Sequence, residues 1–281
     1  MTTSGARPRR APAFQPRTRV AIRAAEAAAA IQLARLGRAA ITWKGAGNPV
    51  TDADRRAERM VRRVLQAAYP RDAILGEETG GTGAFPYRWL VDPIDGTINY
   101  THGVPHFAVA LALEHAGHPV SGVILDPGLG ELFVAEAGRG AWLRQGRTRR
   151  ARGESWHRVR VSRVSVPHRA LVATCSHDMP RDTGNLGHVT ALAGVAQRVY
   201  TLGSAALELA WVAAGRLEGF WEPALPPWDT VAGALLVREA GGRVTDYAGA
   251  PWSGPARQIV ASNGRVHALL LRRLRQHRHG W

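Results

Sequence analysis

Cysteine and lysine are nearly absent from this chain, and long apolar runs are missing. The single Cys175 excludes an internal disulfide and a thiolate metal cluster, and it points to a reducing, cytoplasmic setting. No hydrophobic stretch is long enough to span a bilayer, which excludes an integral helical membrane protein and any membrane partner of that kind. The 281 residues, 45% of them hydrophobic, fit one large globular domain or two packed halves. Acid is scarce too: 22 carboxylates face 37 basic residues, all arginine except Lys44, for a formal net charge of +15. Such a charge attracts polyanions at long range. The densest basic stretch, 144–169, has no aromatic interleaving besides Trp156, so the nucleic-acid signal is weak. What little acid there is lies in regions without cations. No Lys or Arg occurs from Trp89 to Gly138, nor from Leu217 to Val237.

Hydrophobic periodicity organises the rest. Residues 1–18, rich in Arg, Pro and Gly, read as a mobile basic tail, and 276–281 as a second. A helix is expected over Arg19–Arg38. A second is expected after Thr51, with Asp54 completing a capping box and Ala57, Met60, Val61, Val64, Leu65 and Ala68 forming the buried stripe. Short apolar runs at Ile74-Leu75, Trp89–Val91, Phe107–Leu113, Val120–Leu125 and Glu131–Ala135 read as strands of one sheet. The division is an N-terminal half at 19–155 and a C-terminal half at 156–275. In the second half strands are expected near Val161, Leu171–Thr174, Arg198–Thr201, Leu217–Glu222 and Ile259–Ala261, with helices over Ser204–Ala214, Asp229–Ala240 and Val266–Leu274.

The chemistry concentrates where Trp89-Leu90-Val91 runs into Asp92-Pro93-Ile94-Asp95-Gly96-Thr97. Asp92 falls at the carboxyl end of a buried strand, where open sheets place ligands. Asp95 is expected as the N-cap of a short helix whose Gly96 and Thr97 amides face outward, ready to receive phosphate oxygens. Two carboxylates three residues apart, with the Ile94 carbonyl between them, suit hard divalent cations.

Gly76-Glu77-Glu78, the Trp89–Thr97 string and Trp228-Asp229-Thr230-Val231-Ala232-Gly233 with Glu239-Ala240-Gly241-Gly242 resemble, in order and spacing, the inositol monophosphatase family, within the lithium-sensitive, magnesium-dependent sugar phosphatases. The likeness runs from about Lys44 to Val260. It implies an α+β fold, a layered αβαβα sandwich, and a homodimer. It implies that Glu77, Asp92 and the Ile94 carbonyl hold one Mg²⁺, that Asp92, Asp95 and Asp229 hold a second, and that Glu77 helps hold a weaker third. Glu77 and the Thr97 hydroxyl would activate a water, the phosphate would lie on the Gly96 and Thr97 amides, and Lys44 matches a lysine the family keeps near its active site. Glu222 matches the acid that accepts hydrogen bonds from ring hydroxyls, and Ser204 and Ala205 in Gly203-Ser204-Ala205-Ala206-Leu207 would border the polyol.

The implied activity is hydrolysis of myo-inositol monophosphate without a phosphoenzyme. Histidinol phosphate, fructose 1,6-bisphosphate and a nucleotide 3′-phosphate are alternative substrates for the same chemistry. An RNA or transcription-complex adaptor on the same fold is the alternative of a different class, and the basic surface would favour it. Ile98, Tyr100 and Thr101 depart from the family pattern beside the phosphate but remove no ligand.

Overall fold

The structure, a computed structural model, describes residues 12–45, 47–81, 86–145, 155–175, 183–254 and 258–276. Residues 1–11 and 277–281 of the expected tails, and the centre of the arginine-rich stretch, lie outside these residues. Five layers follow from the alternation read in the sequence. Helices α1 (Pro16–Arg35) and α2 (Asp52–Ala68) cover one face of a seven-stranded sheet. That sheet is ordered β3 (Ala73–Gly76), β4 (Tyr87–Asp95), β5 (Ala108–His115), β6 (His118–Asp126), β7 (Glu131–Glu136), β8 (Gly140–Gln145) and β9 (Ser155–Arg158). Only β3 and β4 run parallel within it. Helices α5 (Ala205–Ala213) and α6 (Pro227–Glu239) fill the layer between this sheet and a five-stranded one. The smaller sheet is ordered β11 (Arg198–Tyr200), β10 (Leu171–Ala173), β12 (Gly219–Glu222), β14 (Ile259–Ser262) and β13 (Arg243–Thr245). Helices α4 (Thr183–Ala193) and α7 (His267–Gln276) close its outer face. The expected αβαβα sandwich is therefore the fold. A hairpin of β1 (Ile41–Gly45) and β2 (Asn48–Thr51) and the short α3 (Thr97–Thr101) complete the order.

Residue size sets the spacing of the layers. Along β5, Val109, Leu111 and Leu113 face α1 and α2, while Ala108, Ala110 and Ala112 face the central helices. Strand side chains alternate between faces, so one sheet presents a bulky side and a thin one. Ala135, Ala141 and Gly122 continue the thin side, and α6 comes down onto it with Ala232 and Gly233. A Cβ on Gly122 would stand 2.8 Å from the Ala232 carbonyl oxygen, and one on Gly233 would stand 2.5 Å from Leu209. Glycine is required at Gly122 for α6 to reach the sheet, and at Gly233 for α5 to pack against α6.

Several boundaries differ from expectation. The N-terminal tail ends before Phe14, which is buried edge-on against Trp156 with centroids 5.1 Å apart. Arg17 makes a two-pronged ion pair with Asp72 at 2.9 and 3.0 Å and stacks on Tyr69 and Tyr87, so α1 starts at Pro16 rather than Arg19 and stops at Arg35. The Thr51–Asp54 capping box forms, but Ala68 is exposed, Met60 lies half-buried on the outer face of α2, and Glu58 is buried. The first sheet runs on to Arg158, past the expected boundary, because Trp156 belongs to its core. Val161 is not in a strand; its amide instead donates to the Ala240 carbonyl at 3.2 Å. Helix α4 had no expectation at all: its Gly and Thr residues dilute the apolar stripe. Among the described residues no helix is long and apolar enough to cross a membrane.

If contact between α6 and the thin face holds the layers together, Gly122→Ala should destabilise the protein by about 1–3 kcal/mol, the usual cost of overpacking. Chemical denaturation measures this; an unchanged midpoint would show that the contact has room to spare.

Candidate active site

The site begins at a break in β4. Asp92 pairs with Ala110 of β5 and Asp95 with Ala108, so three steps on β4 face two on β5, and the extra residue makes a bulge. Pro93 is tolerated there because a bulge needs no ladder donor. Its carbonyl accepts from Gln32 Nε2 of α1 at 2.6 Å, and Asp92 Oδ1 accepts the Ile94 amide at 2.9 Å. Gly96 follows with φ 93°, and a Cβ there would meet the His106 and Gly203 carbonyls at 3.0 and 3.1 Å. Only glycine satisfies both the backbone angle and the space.

Carboxyl groups converge on this bulge. Asp92 is buried, with the carboxyls of Glu77 and Asp229 on either side of it. Burial pushes its pKa well up, and the charges of Glu77, Asp229, Asp95 and Asp54 push it further. Asp229, in the first turn of α6, is raised by burial and then by Asp95 and Glu77. Glu77 follows β3 and is pushed up to about 7, by burial first and then by Glu78 and Asp54, against the pull of Lys44. Lys44 Nζ lies 2.5 Å from Glu78 Oε1 and 3.6 Å from Glu77 Oε1, reaching in from the hairpin.

Asp95 does not cap α3, as expected; Gly96 occupies that position. The Asp95 carboxylate turns instead to the other half of the molecule, where Oδ2 accepts the Ser204 hydroxyl and, at 2.8 Å, the Ala206 amide at the start of α5. A left-handed glycine removes Asp95 from the capping geometry and frees it for that contact. Ser204 and Ala205 are both buried, so the Ser204 hydroxyl acts on Asp95 rather than presenting an open surface. Glu222, at the end of β12, is buried and accepts from the Thr174 hydroxyl at 2.8 Å and the Cys175 amide at 2.9 Å. Behind it, Asn185 donates to Thr174 Oγ1 at 3.1 Å, and Trp221 Nε1 donates to Asn185 at 2.9 Å. The chain of donors points one way and ends on the Glu222 carboxyl.

Four residues carry more than the sequence suggested. Asp54, expected only as a cap, lies 3.3 Å from Thr97 Oγ1 and is pushed up to about 6, chiefly by burial. Thr97 Oγ1 also donates to the Ile94 carbonyl at 2.9 Å. Glu78, which a surface loop would expose, has a side chain only 4% accessible. Glu58 holds the turn after β3 by accepting the Glu78 amide at 2.7 Å, and a Cβ on Gly76 would strike its carboxyl at 2.2 Å. Glu208 accepts the Leu202 and Gly203 amides at 3.0 and 3.1 Å and so shapes the loop entering α5. The signal available in the sequence was the Asp54/Glu58 spacing of four, which puts both on one face of α2.

Oxygen donors this crowded, with Lys44 paired to Glu78 and close to Glu77 at their edge, fit hard divalent cations. Among the described residues no three such side chains already stand in a closed coordination arrangement. The contacts run instead in pairs through Asp92, with Glu77 on one side and Asp229 on the other.

The inositol monophosphatase family model matches residues 14–279. The chain is 39% identical to the Nus factor SuhB of Pseudomonas aeruginosa over 94% of this chain and 97% of that protein. It is 40% identical to the inositol-1-monophosphatase of Rhizobium meliloti over 80% of this chain and 82% of that one. Among solved structures, the extragenic suppressor protein suhB of Bartonella henselae superposes with TM-score 0.84 at 36% identity, covering 94% of this chain and 98% of that one. The Thermotoga maritima IMPase superposes with the same TM-score at 31% identity, over 94% and 98%.

Because Glu77 holds its proton up to about pH 7 against an ordinary 4.5, the metal-free fold keeps a proton that the unfolded chain has already lost. The stability from this group is present below about pH 4.5 and lost as pH rises through about 7. Millimolar Mg²⁺ should therefore raise the melting temperature more at about pH 7.5 than at about pH 5. A magnesium increment independent of pH, measured by paired thermal melts, would contradict this.

Proposed function

This chain belongs to the inositol monophosphatase family, and we propose on that premise that it is a magnesium-dependent phosphomonoesterase acting on myo-inositol monophosphate. The observation that carries the reading is the carboxyl run from half-buried Glu77 to buried Asp92 and Asp229, set against the Gly96 turn, with Thr97 and Asp54 beside it. Glu77, Asp92, Asp229, Asp95 and the Ile94 carbonyl would hold two Mg²⁺ ions, and Glu77 would contribute to a weaker third. Bound there, the ions supply positive charge for the phosphoryl oxygens and make water more acidic.

The chain's own groups do the rest. The Gly96 and Thr97 amides receive phosphate oxygens, and glycine leaves the approach open. Thr97 Oγ1 takes a proton from the attacking water while its own proton, turned from the Ile94 carbonyl, passes to Asp54 Oδ1, 3.3 Å away. A carboxyl with a pKa of about 6 is well matched to that task near neutrality. Glu77 orients the same water. Lys44 tempers the charge of Glu77 and Glu78 from the hairpin. Glu222, fixed by Thr174 and the Cys175 amide, accepts hydroxyl donors from the polyol. Family membership supports a phosphatase; the inositol substrate rests on Glu222.

A second reading, an adaptor for RNA or a transcription complex, is supported by the likeness to a protein named Nus factor and by the net charge of +15. It does not need the carboxylates.

Asp92→Asn should lower kcat by about 100- to 1,000-fold, the scale for losing one preorganised stabiliser. An RNA mobility shift unaffected by the same substitution would assign the adaptor role. Glu222→Ala and Thr174→Val should raise KM for inositol monophosphate while leaving that for p-nitrophenyl phosphate nearly unchanged. Equal effects on the two substrates would remove Glu222 from polyol recognition.

A further inference from the structure

A groove on the outer surface, between the end of α1 and the length of α2, encloses about 400 Å³ and is rimmed by Arg35, Arg56, Arg59 and Arg63. Its floor is apolar: Ile31 and Ala34 from α1, Met60 from α2. On α2 the rim residues and Met60 recur at i, i+3, i+4 and i+7, one continuous face. At 3.6 residues per turn this face lies roughly opposite Asp54 and Glu58, which look toward the carboxylate site. The two sites therefore occupy opposite sides of one helix.

The rim is short of acid. Asp52 is shared by Arg35 and Arg56, at 2.6 and 3.1 Å, and among the described residues no carboxylate pairs with Arg59 or Arg63. Arg35 Nε is buried without a hydrogen-bond partner. Like charges three and four residues apart weaken a helix by a few tenths of a kcal/mol each, so Arg59 and Arg63, unlike Arg56 with its Asp52 partner, gain nothing for folding from their place on α2. A planar guanidinium matches phosphate oxygens in pairs. The arginines from 56 to 63 span about 10 Å of helix, the reach of a short phosphate chain rather than of a nucleic-acid strand. A floor of Ile, Ala and the adaptable Met offers a surface for a flat or aliphatic body beside those charges.

We propose that this groove is a second anion site, distinct from the carboxylate cluster, for a compact, multiply phosphorylated ligand with an apolar body, of the nucleoside di- or triphosphate class. A ligand that engages Arg35 and Arg56 competes with Asp52 for them. Asp52 also accepts the Ala40 amide at 2.9 Å, at the root of the hairpin that carries Lys44. Occupancy of the groove is thus linked to the lip of the active site.

The test is titration calorimetry of the full chain with ATP in EDTA, where the carboxylate cluster repels phosphates. ATP binds the unaltered protein, and the affinity falls at least tenfold in R59Q/R63Q but is unchanged in D92N. The double variant should melt no lower than the parent, since it removes like-charge repulsion. The same titration with tripolyphosphate gives weaker binding than ATP. Absence of ATP binding, or binding indifferent to R59Q/R63Q, overturns the site. Tripolyphosphate binding as tightly as ATP overturns the apolar floor's part in recognition. An RNA oligonucleotide that outcompetes ATP and depends on the same arginines overturns the compact ligand.

Discussion

Mutual repulsion among buried carboxyl groups is the constraint around which this molecule is arranged. Asp92, Asp229 and Glu77 sit close together, and each is driven toward its neutral form by burial and by neighbouring carboxylates. Left charged and unneutralised, such a cluster would oppose folding. Family membership, the crowding of oxygen donors and the nearly complete exclusion of basic residues fit one resolution, in which divalent cations neutralise the cluster and the same charge serves the phosphoryl group.

The layers deliver those groups from distant parts of the chain. The alanine face of the large sheet and Gly122 let α6 lie close, which sets Asp229 beside Asp92. The bulge at Pro93-Ile94 turns β4 so that Asp92 and Asp95 face different neighbours. Asp95 then reaches across to Ser204 and Ala206, tying the start of α5 to the bulged loop of β4. On the far side, Glu58 and Gly76 fix the turn that presents Glu77. Stability and site geometry depend on the same close approaches.

Much of this was legible in the sequence, for reasons specific to each part. Local signals served well: the Thr51 capping box, the period-two strands, and the contiguous Asp92–Thr97 string, whose meaning depends on neighbours in the chain. Long-range partnerships were not legible. Nothing near Asp54 in sequence announces Thr97, and nothing near Asp95 announces Ala206, because those contacts are created by folding. Asp before Gly-Thr ordinarily reads as a cap, but at Asp95 the left-handed Gly96 overrides that preference. Phe14 and Arg17 were hidden in a tail-like composition, and only the aromatic surfaces of Trp156, Tyr69 and Tyr87 explain their docking.

The central claim is that these carboxylates form one cation site. Anomalous diffraction from crystals of the protein equilibrated with Mn²⁺ tests it most directly. The account predicts peaks bounded by Glu77, Asp92, Asp95 and Asp229, with the Ile94 carbonyl in reach. Saturating Mn²⁺ that leaves this cluster empty, or that lodges only elsewhere, would contradict it.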